Sequence, residues 1–264
     1  MRLRTTSIRR RARVATAATL GALCLGLAGC SGASPIEPAT ALARADLGME
    51  AASTTFADFP KAPLDPAPNA ETEGVVLRVK QDVAVHVAPG GPVFAKLPAT
   101  QLENPTWVPV IAERGRWLQV LLPSRPNGST GWVRTGGEVE RARSPYVVDV
   151  DIDARRLVVR KDGAPLGEWT VGVGAPNTQT PRGRTFIMAA IEETVTHFSP
   201  IILPLGTHSE TFNTYGGGPG TVALHGWPDP SVFGQAGSDG CVRVPNDALR
   251  LLMTLPLGTI VHLR

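Results

Sequence analysis

The 264-residue chain predicts a mainly β protein: a small β-barrel followed by a second, mostly β module with one short helix. Three observations carry this. Between Gly74 and Val133 short, alternating, β-branched runs follow one another with compact turns between them. The same alternation resumes from Tyr146 to Ile191, with Asp162-Gly163 as a hairpin turn, because Asp-Gly accepts positive φ at low cost. After that, the clearest helical pattern is brief. It starts at Asn246 and runs to about Leu255, just behind a segment that carries a thiol.

The first 29 residues read as a targeting segment. Arg2, Arg4, Arg9, Arg10, Arg11 and Arg13 precede an apolar run from Val14 to Leu27, too short to span a bilayer. Leu27-Ala28-Gly29-Cys30 looks like a bacterial lipoprotein processing site, with small residues before the cut and Cys30 as the thiol to be lipidated. The chain is therefore expected to be exported and lipid-anchored to the outer face of the cytoplasmic membrane. The formal charge of +3 belongs to this segment. Without it 20 basic residues face 23 acidic ones, so no nucleic-acid partner is implied. Cys24 leaves with the signal and Cys30 takes the lipid, which leaves Cys241 as a lone thiol.

Residues 30–73 are rich in Ala, Pro, Thr and Ser and read as a flexible tether, with a short helix at Ala39–Ala52 as its one periodic stretch. Strands are expected at Gly74–Val79, Val83–Val87, Trp107–Ala112, Trp117–Leu122 and Gly131–Val133, in a module over 74–140. Trp107, Trp117 and Trp132 are assigned to its core. Arg141–Pro145 reads as a linker. The second module, 145–264, is expected to hold strands at Tyr146–Ile152, Leu157–Arg160, Leu166–Val173, Thr185–Ile191 and Ile260–Leu263, with Asn246 capping the helix and Asp247 in its first turn. His197 and His208 fall in a long segment between strands and are placed at the surface or in a flap. His86 and His262 are assigned structural roles.

The chemistry gathers in two short stretches, Ala223-Leu224-His225-Gly226-Trp227 and Ser238-Asp239-Gly240-Cys241-Val242-Arg243. Cysteine reacts as the thiolate, so a catalytic Cys241 needs a base, which His225 can supply, and donors for an oxyanion, which the Gly240 and Cys241 amides can supply. A buried structural Cys beside an unrelated His is the alternative. Arg243 either binds a substrate carboxylate or holds the Cys loop. Ser238 either touches substrate or braces the turn. Tyr215, at the head of a Gly-rich run, reads as a rim residue over the site. No His or Cys spacing suits a zinc site, and no metal or organic cofactor is called for.

His225-Gly226, Ser238-x-Gly240-Cys241-Val242-Arg243 and Asn246-Asp247, with the upstream Thr180-Pro181-Arg182-Gly183 turn, resemble the signature of the L,D-transpeptidase (YkuD-type) family over roughly Tyr146–Arg264. One position departs: many members carry His where this chain has Asp239, and a carboxylate there opposes thiolate formation. Trp117-Leu118-Gln119-Val120 and Gly131-Trp132-Val133 resemble bacterial SH3-like modules, which implies either wall-polymer binding or a packing role. The family resemblance implies a Cys241 acyl-enzyme formed from a peptidoglycan stem tetrapeptide with release of D-Ala. Transfer to an amine of a neighbouring stem then gives a 3→3 cross-link. His225 acts as base, Gly226, Ser238, Asp239, Gly240, Arg243 and Tyr215 line the site, and carbapenem β-lactams acylate Cys241. A carboxypeptidase, a sortase-like enzyme and a non-catalytic wall-binding lipoprotein are the competing readings. The compact His-to-Cys gap argues against a sortase, and thiol reactivity separates the non-catalytic case.

Overall fold

The computed structural model describes residues 47–264 apart from 49, 216 and 217. The targeting segment, Cys30 and most of the expected helix at Ala39–Ala52 lie outside the described residues. The strands are β1 (Val75–Val79), β2 (Val83–His86), β3 (Val93–Leu97), β4 (Thr100–Gln101), β5 (Asn104–Pro105), β6 (Trp107–Arg114), β7 (Trp117–Leu121), β8 (Thr130–Arg134) and β9 (Val139–Arg143), followed by β10 (Tyr146–Asp151), β11 (Arg156–Lys161), β12 (Ala164–Thr170), β13 (Val173–Gly174), β14 (Gly183–Phe186), β15 (Ile191–Glu192), β16 (Ile201–His208), β17 (Thr221–His225), β18 (Ala236–Ser238), β19 (Val242–Arg243) and β20 (Ile260–Leu263). A 3-10 turn spans Pro230–Val232 and α1 spans Asn246–Leu252. The protein is mainly β, as its patterning predicts.

The N-terminal sheet has the order β3-β2-β8-β7-β6-β1-β9. Its last strand overturns one expectation. Residues 141–143 are no linker: β9 pairs with β1 along its whole length, from Val75↔Arg143 to Val79↔Val139. The strand is hard to recognise because it is a charged edge, the composition that keeps edges from pairing further. Arg141 meets Glu113 in a two-pronged ion pair and Arg143 reaches Asp162 at 3.2 Å. Of the three tryptophans, Trp132 is buried beneath the Arg114 guanidinium, 5.5 Å from its ring centre. Trp107 and Trp117 are half-buried, under Arg78 and edge-on to His86 respectively.

The C-terminal part is built on a five-stranded sheet, β12-β11-β10-β20-β14, and a four-stranded one, β15-β16-β17-β19. The β11–β12 hairpin turns at Asp162 and Gly163, both at positive φ (47° and 79°), the pairing a two-residue primed turn requires. β16 lies in the segment read as lacking strands. Pro204 and Gly206 break its pattern, and the pairing with β17 shifts register between Pro204 and His208. Between the sheets lies a core that includes Val148, Leu157, Leu203, Leu224, Val242 and Leu249. Helix α1 buries Ala248, Leu249 and Leu252 in it. Asn246 is not its cap, because Pro245 occupies that position without a side-chain bond; Asp247 does lie in the first turn and accepts from Trp169 Nε1 at 2.7 Å.

Residues 50–73 are not a tether either. Ser53 N–H donates to Lys96 O at 2.7 Å, Phe59 N–H to Arg125 O at 2.9 Å and Asp65 N–H to Gly128 O at 2.8 Å, so the stretch is a strap stitched along the N-terminal sheet. Its small residues make this fit, with Ser53, Thr55 and Ala62 buried. The strap also grips the C-terminal part, because both Asp65 oxygens accept from Arg184, at 2.8 and 2.9 Å. The N-terminal core continues across as well, taking in Phe186, Met188 and Ile260.

Candidate active site

β17 and β19 run parallel, with Leu224 opposite Val242 and His225 opposite Arg243. This one pairing brings the two chemical stretches of the sequence side by side, although residues 226–241 separate them in the chain. His225 is buried, and its Nδ1 lies 2.7 Å from Gly226 O. A carbonyl only accepts, so Nδ1 carries the hydrogen and the neutral ring keeps Nε2 as its acceptor. Phe198 packs edge-on against the ring at 5.0 Å. Gly226 N–H donates to Ser199 Oγ at 2.8 Å, and Ser199 in turn donates to Ile201 O at 2.6 Å, so the turn that orients His225 is itself held. Burial pulls the His225 pKa down, the Gly226 bond opposes this, and Arg243 adds to it. The ring is therefore neutral near pH 7.

Cys241 is half-buried at the start of β19. Desolvation raises its pKa, a backbone hydrogen bond from Ala223 and the Arg243 charge oppose this, and Asp239 raises it further. The expected effect of Asp239 on the thiol is thus present, as a lesser contribution than burial. Gly240 sits at φ +114°, where a side chain is strained. Ser238 Oγ bridges the turn by donating to Cys241 O at 2.6 Å and accepting from Gly240 N–H at 3.2 Å. Ser238 therefore braces the loop, and the Gly240 amide, expected as an oxyanion donor, is engaged by it through a long bond.

The Thr-Pro-Arg-Gly turn has a physical function that its sequence does not reveal. Thr180 Oγ1 accepts from Gly174 N–H and donates to Gly240 O, both at 2.9 Å. Thr178 Oγ1 donates to Ser238 O at 2.8 Å. The two threonines thus fix the carbonyls on either side of Asp239. Gly174 is required by this arrangement, because a Cβ there would lie 2.3 Å from Thr178 O.

Arg243 stacks its guanidinium 3.9 Å above the Trp227 ring, and both backbone groups of Arg243 bond to Gly172 at 2.9 Å. Its buried Nε has no hydrogen-bond partner, and the side chain lines a pocket of about 180 Å³ with Gly172, Ser231, Gln235 and Ser238. Tyr215 is half exposed, close enough to Asp239 and Cys241 to feel their charges. Burial raises its pKa, and Asp239 and then Cys241 raise it further. Every residue singled out in the sequence for this site therefore lies around the β17–β19 pair. His197 lies outside it and is exposed, at φ 55°. His208 is a correction: it is fully buried, its Nε2 2.8 Å from Thr55 O. Sequence reasoning missed Thr178, Ser199, Phe198 and the stacking role of Trp227, none of which belongs to a chemical motif.

Residues 145–263 match the profile of the YkuD family, described as an L,D-transpeptidase catalytic domain. YkuD of Bacillus licheniformis, designated an L,D-transpeptidase, is 29% identical over 152 residues, covering 55% of this chain and 85% of the relative. YkuD of Bacillus subtilis is 30% identical over 118 residues, covering 44% and 65%. Among solved structures, an L,D-transpeptidase from Mycobacterium smegmatis aligns with 60% of this chain and 99% of its own, at 15% identity and a TM-score of 0.38. The part of the chain that holds His225 and Cys241, residues 145–263, is a YkuD-type L,D-transpeptidase catalytic domain.

Proposed function

We propose that Cys241 is the nucleophile and His225 the base of a peptidoglycan L,D-transpeptidase. The observation that carries this is the His225 Nδ1 bond to Gly226 O, which fixes the tautomer that can take a proton at Nε2, on the strand paired with the Cys241 segment. Burial keeps both groups neutral at rest, so the ion pair forms only as the thiol attacks. The thiol proton passes to His225 Nε2 as sulfur adds to the carbonyl between the third stem residue and its terminal D-Ala. The bond to the D-Ala nitrogen then breaks, that nitrogen takes the proton, and a thioester remains. An amine of a neighbouring stem attacks the thioester, gives a proton back through His225 to the departing sulfur, and leaves a 3→3 cross-link.

The Cys241 amide is the first oxyanion donor in this reading. The Gly240 amide joins it by exchanging its 3.2 Å bond to Ser238 for a stronger one to the anion. The Arg243 Nε, buried and unpartnered, suits a substrate carboxylate at the adjoining pocket. Cys30 as a lipid anchor and the N-terminal sheet as an SH3-like wall-binding module complete the proposal, placing the enzyme on the outer face of the membrane.

The test uses the full chain with Cys24→Ser and Cys30→Ser, so that Cys241 is the sole thiol. Imipenem should give a stoichiometric mass adduct that the further Cys241→Ala variant lacks. Stem tetrapeptide should yield free D-Ala and a cross-linked dimer. A folded, reduced protein that forms no adduct would overturn the nucleophile assignment, and D-Ala without dimer would make the enzyme a carboxypeptidase.

A further inference from the structure

The segment 209–220 joins β16 to β17 and carries Tyr215 to the mouth of the site. Among its described residues, Ser209 N–H bonds Gly220 O at 2.8 Å, Tyr215 and Gly218 form a reciprocal pair, and Ser209 Oγ accepts from the Thr211 and Phe212 amides. Three of its carbonyls, those of Ser209, Phe212 and Pro219, converge on one point. That point is the guanidinium of Arg125, which donates to them at 3.2, 3.2 and 3.1 Å, with Nη1 and Nη2 both reaching Ser209 O. Arg125 belongs to the β7–β8 loop of the N-terminal sheet, outside the residues that match the transpeptidase family.

The convergence is built rather than incidental. Gly220 is at φ +74°, and a Cβ there would lie 2.1 Å from Phe212 O and 3.2 Å from Arg125 Nη2, so the carbonyls can close on the guanidinium only because residue 220 has no side chain. Arg125 itself is held on both sides by the strap: its N–H donates to Ala57 O, and its carbonyl accepts from Phe59 N–H, both at 2.9 Å. Two residues on, the Asn127 amide bonds both backbone groups of His208 at 2.8 Å, pinning the strand end from which the segment departs. The far end of the chain of contacts is the nucleophile loop. The Asp239 and Cys241 charges act on Tyr215, and Ser209 Oγ lies 3.9 Å from the site a Cβ of residue 240 would take.

Resting on the function proposed above, we infer that Arg125 is a positioning residue for the acyl-donor site, setting from the other module the wall that faces Cys241. A planar fork of donors can satisfy three carbonyls at once; a lysine ammonium, compact and on a flexible stem, cannot hold that geometry. Loss of the fork leaves the wall misplaced while Cys241 and His225 keep their own strand pairing.

The test compares Arg125→Lys, Arg125→Ala, Tyr215→Phe and the Arg125→Lys/Tyr215→Phe double variant, all in the full chain with Cys24→Ser and Cys30→Ser. Three quantities are read: the rate of Cys241 acylation by imipenem, the rate of its alkylation by iodoacetamide, and the urea midpoint. Acylation should slow by roughly tenfold to a hundredfold in both Arg125 variants, the scale of a misplaced substrate wall. Iodoacetamide, too small to use the wall, should react as with the parent. Tyr215→Phe should slow acylation further by less in the Arg125→Lys background than in the parent. Arg125→Lys serves as the folded probe if Arg125→Ala loses its urea transition. Unchanged acylation in folded Arg125→Lys overturns the inference, as does a parallel fall of acylation and alkylation, or full additivity with Tyr215→Phe. A parent chain without an adduct overturns instead the proposed function on which the inference rests.

Discussion

Asp65→Ala is the substitution to which stability should be most sensitive outside the two cores. The Asp65 and Arg184 side chains are 2% and 3% exposed, and both carboxylate oxygens are used, at 2.8 and 2.9 Å from Nη2 and Nε. Removing the carboxylate leaves a buried cation whose one remaining side-chain hydrogen bond among the described residues is to Ala70 O at 2.9 Å. Breaking such a pair from one side costs about 3–5 kcal/mol, because the orphaned charge keeps its desolvation penalty. A domain has only about 5–15 kcal/mol to lose. With a urea m-value of about 2 kcal/mol/M, the midpoint should fall by roughly 1.5–2.5 M. The double variant Asp65→Leu/Arg184→Met removes both charges and should recover most of that loss, since an apolar pair of similar volume is often neutral. Circular dichroism in urea reads both variants, and trypsin should cut the strap at Lys61 faster in Asp65→Ala alone. A midpoint shift under about 0.4 M, the scale of an exposed ion pair, would refute the account of the strap as a buried electrostatic latch.

Thr180→Val should leave Gly174 N–H and Gly240 O unsatisfied, costing about 1–3 kcal/mol and slowing imipenem acylation by roughly tenfold or more, measured by denaturation and by adduct mass. His208, pulled down to about 4 chiefly by burial, stays neutral with its Nδ1 unpartnered, so its contribution is present above pH 6.5 and lost as pH falls towards 4. That loss amounts to about 3 kcal/mol, and urea midpoints from pH 7 to 4 should fall more steeply for the parent than for His208→Gln. Asp239→Asn removes a charge that raises the Cys241 pKa and should speed iodoacetamide alkylation at pH 8 by roughly twofold to fivefold, while Arg243→Gln should slow it. Alkylation of the parent should still be rising above pH 9, since burial places the thiol above its ordinary range.

The nucleophile loop and its base are legible because their chemistry is local: Ser238 to Arg243 form one turn, and His225 is oriented by the next residue in the chain. The strap is illegible for the opposite reason. Its Ala- and Pro-rich composition reads as a linker, and only partners such as Arg125 and Arg184, far along the chain, make its small residues a buried edge. β9 hides in the same way, since Arg141 and Arg143 look like a linker until they are seen in ion pairs and the strand is seen along β1. β16 hides behind Pro204 and Gly206. His208 looks like a flap residue by position, yet Thr55 and Asn127 supply its bonds from 153 and 81 residues away. Thr180 stands between these cases: its turn can be recognised, but its bond to Gly240 is visible only once β13 and β18 are paired.

The sharing of Phe186, Met188 and Ile260 with the core of the N-terminal sheet bears on how such a protein can be taken apart. A fragment beginning at residue 145 would carry the whole family signature and still present those three side chains to water, on the face that β14 and β20 turn towards their neighbour. Its surface would be adhesive where the intact molecule has no surface at all. Grafting this catalytic part onto a different N-terminal partner therefore demands a replacement for that apolar face, in addition to any replacement for Arg125. The boundary visible in the sequence separates two motifs, whereas the described residues on either side of it share one core.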